Sequence, residues 1–377
     1  MKQYRCWAEV DLDALRENLA WIRHRVGAEV KIMTVVKADA YGHGLKQIAA
    51  LLMQSGTDVF GVANLTEAQA IRSVGRGWPI LMLGACLPFE VETAVREDVM
   101  PTISTFEEAK QFSAVAMQLG KVAGLHIKID TGMGRLGTEP KRAPELWKGI
   151  AALPGVRICG LYTHFSSVED DVAFSRVQKR QFARLLKALP HNSLEYLHAN
   201  NSGALLFEQD THFNTVRPGL LVYGVLPRGT RKMRSELQQQ VRPALSWKCR
   251  VSLVKSIPRG AALSYGRSFI ARRAMRVATI TAGYGDGYLR SGGNRARVLI
   301  GGEFCRVLGR ITMDQIIVDV SHLDSVKSGD EVVLIGKQGS REITTNQLAE
   351  WCRTIPWEIL TAITARVPRV YRGSQAA

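Results

Sequence analysis

Hydrophobic positions follow two regimes along this chain. A short strand is expected over residues 5–10. Leu12, Leu15, Leu19, Ile22 and Val26 then recur at helical spacing, with Asp11 placed to cap the helix and Gly27 to end it. Eight apolar runs come next, at 31–38, 59–63, 79–84, 100–105, 124–130, 157–165, 194–201 and 213–219. Helix-like stretches such as 66–74, 106–119 and 172–189 lie between most of them. Eight runs about 20–35 residues apart with helical spacers predict a (β/α)8 TIM-like barrel. Parallel strands covered on both faces read as continuous apolar runs, as these do. A doubly wound sheet is the main rival.

The pattern changes after Tyr223. Residues 225–243 are polar, basic and weakly periodic, and read as a linker. Alternating segments follow at 246–257, 275–283, 296–302, 304–309, 315–320 and 331–336, separated by glycine-rich turns. This predicts a mostly antiparallel C-terminal β domain, interrupted by one helix at 344–352. The expected division is a barrel over 1–235 and a β domain over 236–377, with the first short strand free to pack against the second.

Composition narrows the function classes. At 377 residues and 46% hydrophobic, the chain can bury a sizeable core. No apolar run reaches membrane-spanning length, and the N-terminus lacks the apolar segment of a secretory signal. A cytoplasmic protein with no membrane partner is expected. The six cysteines, at 6, 86, 159, 249, 305 and 352, have no metal-ligand spacing, so they are read as reduced and buried, with no metal. A net charge of +16 allows a nucleic acid or an anionic small molecule as partner. The basic clusters at 227–234 and 271–276 carry no recognition motif, so no nucleic-acid partner is expected.

The chemistry of a barrel collects at the C-terminal ends of its strands. The first run ends in Lys37, followed by Asp39, Tyr41 and the loop Gly42–His43–Gly44. Later runs end in Asp130, in Thr163 and His164, in Asn200 and Asn201, and in Arg217. A desolvated amine at Lys37 becomes a nucleophile, and its natural electrophile is a carbonyl. Pyridoxal phosphate is the commonest cofactor held as such a Schiff base. It also needs a phosphate site, which Ser202, Gly203, Gly219 and Leu220 offer in the loops after the last two strands. Arg217 stands where it would face the ring nitrogen. In the β domain, "LSYGRSF", "AGYGDGYLR" and "GRITMDQ" place Tyr265, Tyr284, Arg290, Met313 and Asp314 in or near glycine-rich turns, which reads as an active-site lid.

With these residues in view the chain resembles the alanine racemases, two-domain pyridoxal-phosphate enzymes. The markers are "VVKADAYGHG", "KIDTGMGRLG", "THFSS", "ANNSGA", "VRPGLLVYG", "SYGRSF", "AGYGDGYLR", "GRITMDQ" and "RVPRVY", in that order nearly end to end. The resemblance implies that Lys37 carries the cofactor and acts as one acid/base. It implies that Tyr41 binds the phosphate with Asn201, Ser202 and the backbone of Gly219 and Leu220, and that Arg217 faces the pyridine nitrogen. Tyr265 would be the opposing acid/base, supplied by the other subunit of a homodimer, with His164 behind it and Arg217 behind His164. Arg135 and Met313 would hold the substrate carboxylate. Tyr284, Arg290 and Asp314 would line the approach. Lys128 is often carbamylated in the family; the alternative here is an ion pair with Asp130 or a nearby acid. Ala365 departs from the pattern, because some members carry tyrosine before "RVPR". That raises a broader alanine/serine racemase as the alternative function. A decarboxylase on the same barrel, a non-catalytic cofactor carrier and a nucleic-acid-binding module are weaker readings.

Overall fold

The computed structural model describes residues 3–207, 213–227 and 240–374. The division expected between 235 and 236 lies outside the described residues. Eight parallel strands close into a barrel: β2 (Lys31–Val35), β3 (Val59–Val62), β4 (Ile80–Ala85), β5 (Val99–Ile103), β6 (Ala123–Lys128), β7 (Val156–Tyr162), β8 (Tyr196–Asn201) and β9 (Thr215–Arg217). Closure is made by β2 on β9, with Lys31 opposite Thr215 and Ile32 opposite Val216. The doubly wound alternative is thereby excluded.

The barrel forms because most of its strands carry apolar side chains on both faces. Outward residues such as Ile32, Phe60, Ile80 and Ile127 pack under the surrounding helices. A separate cluster of Met33, Val59, Leu81, Met100, Cys159 and Tyr196, one residue from each of six strands, packs apart from that main core. Complete burial of such a side chain contributes roughly 1.5–3 kcal/mol. A polar set, Thr102 on β5, His126 and Lys128 on β6, His198 on β8 and Arg217 on β9, is also nearly inaccessible.

The strand β1 (Cys6–Asp11) precedes the barrel but pairs elsewhere. It lies antiparallel to β10 (Leu245–Ile257) and parallel to the strand Arg369–Arg372. These belong to a nine-stranded, mostly antiparallel sheet in which β10 also pairs with Met275–Ile280 and Glu331–Gln338. The helix Leu12–Val26 joins sheet and barrel. Asp11 caps it, accepting from Ala14 N–H, and Gly27 ends it at φ +83°. Asn18, fully buried on that helix, donates to the carbonyls of Val222 and Arg242 and accepts from Arg242 N–H. No described helix is long and apolar enough to cross a membrane. All six cysteines are free thiols.

Candidate active site

The lysine position is built by strain. β2 buries its residues through Val36, whose N–H bonds Gly61 O at 2.9 Å. Lys37 follows, half-buried. The next four residues, Ala38, Asp39, Ala40 and Tyr41, all have φ between +53° and +55°, forming a left-handed turn without a glycine. Such backbone costs about 1–2 kcal/mol per residue, so its surroundings must enforce it. Leu45 N–H bonds Asp39 Oδ1 at 2.7 Å, and Ala38 N–H bonds Glu67 Oε1 at 2.7 Å. Arg369 Nε donates to Gly42 O and Tyr371 Oη to His43 O. His43 Nδ1 sits 3.0 Å and 2.9 Å from the carbonyls of Ala40 and Tyr41, so it must carry the ring proton. Burial lowers the pKa of His43 to about 4, so the ring is neutral at pH 7. A Cβ at Gly42 would collide with Leu360 O.

This turn opens onto a cavity of about 670 Å³ at the C-terminal end of the barrel. Lys37, Tyr41, Lys128, Arg135, His164, Asn201, Ser202, Arg217, Gly219 and Leu220 all line it. Ser202 Oγ accepts from the N–H groups of Gly219 at 2.9 Å and Leu221 at 3.4 Å. A Cβ at position 219 would lie 2.6 Å from Tyr41 Oη, so glycine lets that hydroxyl sit close against the backbone. Burial pushes the Tyr41 phenol upward and keeps its proton in place as a donor.

Four cations face this space: Lys37, Lys128, Arg135 and Arg217. None makes an ion pair among the described residues. Burial first, then Arg135, lowers the Lys37 pKa, against an upward pull from Glu67. Lys128 is 2% exposed, and burial with Arg135 and Arg217 lowers its pKa to about 8. The ion pair considered for Lys128 with Asp130 is absent. Asp130 instead accepts from the N–H groups of Gly132, Met133 and Gly134. Lys128 Nζ and the Arg217 guanidinium lie 5.6 Å and 5.2 Å from the Tyr162 ring centre, in cation–π range.

Arg217 is fixed from several sides. Its guanidinium donates to His198 Nδ1 at 2.6 Å, to the carbonyls of Thr163 and Ala199, and to His164 Nδ1 at 3.2 Å. The chain continues from His198 Nε2 to His126 Nδ1 at 3.2 Å. Tyr162 Oη lies 2.7 Å from Thr102 Oγ1, whose own hydrogen goes to Met82 O, so the tyrosine donates. His126, His198, Tyr162 and Glu67 are absent from the sequence-derived site. The three strand residues lie below the rim, and a strand-end reading passes over them. The alternation of polar side chains within otherwise apolar runs was the available signal.

The β-domain candidates do not reach this cavity within one chain. Tyr265 is 69% exposed, Met313 52% and Tyr284 42%, and none lines the cavity. The lid expected from these turns therefore does not cover the site of its own chain. They share a rim instead. Tyr284 N–H bonds Thr312 O and Gly285 N–H bonds Met313 O. Ser264 Oγ donates to Arg310 O, and Arg366 bridges Asp286 and Asp314 at 3.0 Å and 2.6 Å. Arg290 and Ala365 are exposed and also lie outside the cavity lining.

Comparison with known proteins agrees with this geometry. The N-terminal domain of alanine racemase matches residues 10–227, and its C-terminal domain matches residues 244–371. The chain belongs to the alanine racemase family. An alanine racemase of Halothermothrix orenii is 38% identical over 370 residues, 97% of both chains. One from Methylacidiphilum infernorum is 41% identical over 368 residues, covering 98% of this chain and 93% of the relative. Among solved structures, an alanine racemase from Streptomyces lavendulae superposes with a TM-score of 0.92 at 34% identity, covering 99% and 98% of the two chains. That of Bacillus anthracis with bound L-Ala-P gives 0.90 at 33% identity, covering 99% and 96%.

Proposed function

We propose that this chain is a pyridoxal-phosphate-dependent alanine racemase. It works as a cytoplasmic homodimer, interconverting L- and D-alanine and supplying D-alanine for peptidoglycan precursors. The observation that carries the reading is Lys37, held by a strained left-handed turn in a cavity lined by Lys128, Arg135 and Arg217, in a chain of this family.

The residues present fit the cofactor. Four cations with no ion pair among the described residues suit an anionic guest, and the Tyr41 hydroxyl, which lines the same cavity as Ser202 and Gly219, offers a phosphate a donor. Lys37 would hold the carbonyl carbon. Tyr41, Asn201, Ser202 and the backbone of Gly219 and Leu220 would hold the phosphate, and Arg217 the ring nitrogen. When bound, pyridoxal phosphate supplies the electron sink that acidifies the substrate Cα–H bond.

Racemisation removes the Cα proton from one face and returns one on the other. Two opposed groups do this in place, each supplying what the other removes. Lys37 Nζ serves one face, its neutral form favoured by burial and by Arg135. Tyr265 Oη of the partner subunit serves the other, with His164 behind it. Arg217, whose pKa burial brings to about 10, stays protonated near neutrality. As a permanent donor it would face the ring nitrogen without giving up its proton, so the bound cofactor would be a weaker sink, which would favour prompt return of the proton at Cα. Arg135 and Met313 of the partner subunit orient the substrate carboxylate. Clamping the carboxylate disfavours its expulsion, so decarboxylation is the weaker outcome.

The broader alanine/serine specificity is not favoured, because the similar proteins are named as alanine racemases. The test is circular dichroism of L-alanine, D-alanine and L-serine with the purified, cofactor-loaded protein. Both alanine signals should decay to zero while serine persists. Unchanged alanine signals would refute the function. Equal decay of serine would restore the broader reading.

A further inference from the structure

Glu67 sits at the third position of the helix Leu65–Arg72, where an acidic residue normally serves the helix start. Part of that role is visible. Asn64 Oδ1 accepts from Glu67 N–H at 3.0 Å, and Glu67 Oε2 accepts from Ala63 N–H at 2.7 Å. Glu108 does the same for the helix Phe106–Gln118, accepting with Oε2 from Ser104 N–H at 2.6 Å and Thr105 N–H at 3.0 Å. The two acids differ in the second amide each holds: Glu108 takes the N-cap amide of its own helix. Glu67 Oε1 reaches across to Ala38 N–H at 2.7 Å, the amide next to Lys37. One carboxylate thus ties the chain leaving β2 to the chain leaving β3, where the left-handed turn begins.

We propose that Glu67 is a positioning residue for Lys37: its carboxylate anchors the first amide of the strained turn and keeps a negative charge beside the lysine. The assignment rests on the reading of Lys37 as the cofactor-bearing lysine. Lys37 shares its cavity with Arg135 from the loop after β6, Lys128 from β6, His164 from the loop after β7, Arg217 from β9 and Tyr41 from its own turn. Burial and Arg135 favour the neutral amine, and Glu67 opposes them. The same side chain therefore sets both the direction of the lysine and part of its proton affinity. Glu108 has a matching helix-start role and no link to the Lys37 turn, so it is the internal control.

The test compares wild type, Glu67→Gln, Glu67→Asp and Glu108→Gln. Three quantities are read: the pH dependence of pyridoxal phosphate capture by the apoprotein, the rate of cofactor release from the holoprotein, and Tm. Capture requires the neutral amine. Glu67→Gln should move its midpoint to lower pH and speed release about tenfold, the size of one lost charge-assisted hydrogen bond. Glu67→Asp keeps the charge but is too short to span both amides. It should hold the midpoint near wild type while release quickens. Glu108→Gln should lower Tm and leave capture and release unchanged. Glu67 variants that match Glu108→Gln, changing Tm alone, would overturn the assignment. Wild type that captures no cofactor would overturn the Lys37 reading and this one with it. Glu67 variants that fail while wild type captures normally leave the Lys37 reading intact.

Discussion

Arg217 Nη1 and His198 Nδ1 lie 2.6 Å apart inside the barrel. Arginine has no acceptor, so His198 Nδ1 must present a lone pair and its proton must sit on Nε2. That proton faces His126 Nδ1, which puts the His126 proton on Nε2, an atom buried without a partner. Burial and Arg217 lower the pKa of His198 far below its usual value and that of His126 to about 3. Nitrogen-15 NMR should therefore find both rings neutral, with the proton on Nε2, from pH 8 down to pH 5. An imidazolium signal from either ring in that range would contradict the chain of donors.

Tyr265 stands exposed on the β domain while Lys37 lines the barrel cavity. If the two serve one site, they come from different copies. Lys37→Ala and Tyr265→Ala should each be inactive as homodimers. Co-expressed, they should recover activity through mixed dimers carrying one intact site. No recovery, with mixed dimers verified by mass, would exclude a shared site. In the Tyr265→Ala homodimer, single-turnover proton abstraction should fail far more from L-alanine than from D-alanine.

The barrel strands were legible because parallel strands buried on both faces leave unbroken apolar runs, and observed boundaries fall within a few residues of those runs. The helix Pro356–Ala362 and the strand Arg369–Arg372 were not. The first is two turns long, and the second is a four-residue strand flanked by arginines. Rim residues such as Lys37 and Arg217 were legible because a charge ending an apolar run is conspicuous. Glu67 resembles any first-turn acid, and its bond to Ala38 depends on two chain segments meeting. The left-handed turn carries no glycine at 38–41, so nothing in its composition signals it.

Lys128 is a buried cation without a carboxylate partner among the described residues, with a pKa lowered to about 8. Above that pH the amine is neutral and able to add carbon dioxide, which would replace a cation with an anion facing Arg135. Protein held in carbon-13 bicarbonate above pH 8 should show a carbamate resonance that Lys128→Met lacks and that acidification removes. Its absence from wild type at saturating bicarbonate would argue for a bare amine. Without carbamylation, the protonated form of Lys128 disfavours folding. Its pKa is lower folded than unfolded, so Lys128→Met should raise the Tm of bicarbonate-free apoprotein. That gain is fully present below pH 8 and fades as pH rises toward 10.5.

His43 links the Lys37 turn to acid stability. It is fully buried, and burial lowers its pKa from 6.5 to about 4. Between those values the unfolded chain binds a proton that the folded protein refuses, so stability falls as pH falls through that window. From pH 7 to pH 5 this one ring should remove about 2 kcal/mol of unfolding free energy. Asparagine at position 43 retains a side-chain N–H for the carbonyls of Ala40 and Tyr41 but does not titrate. His43→Asn should be less stable than wild type at pH 7, and the gap should narrow by about that amount at pH 5, as read by urea unfolding. A gap independent of pH would mean that the ring is protonated in the folded protein. The two carbonyls of the left-handed turn would then be held by an imidazolium.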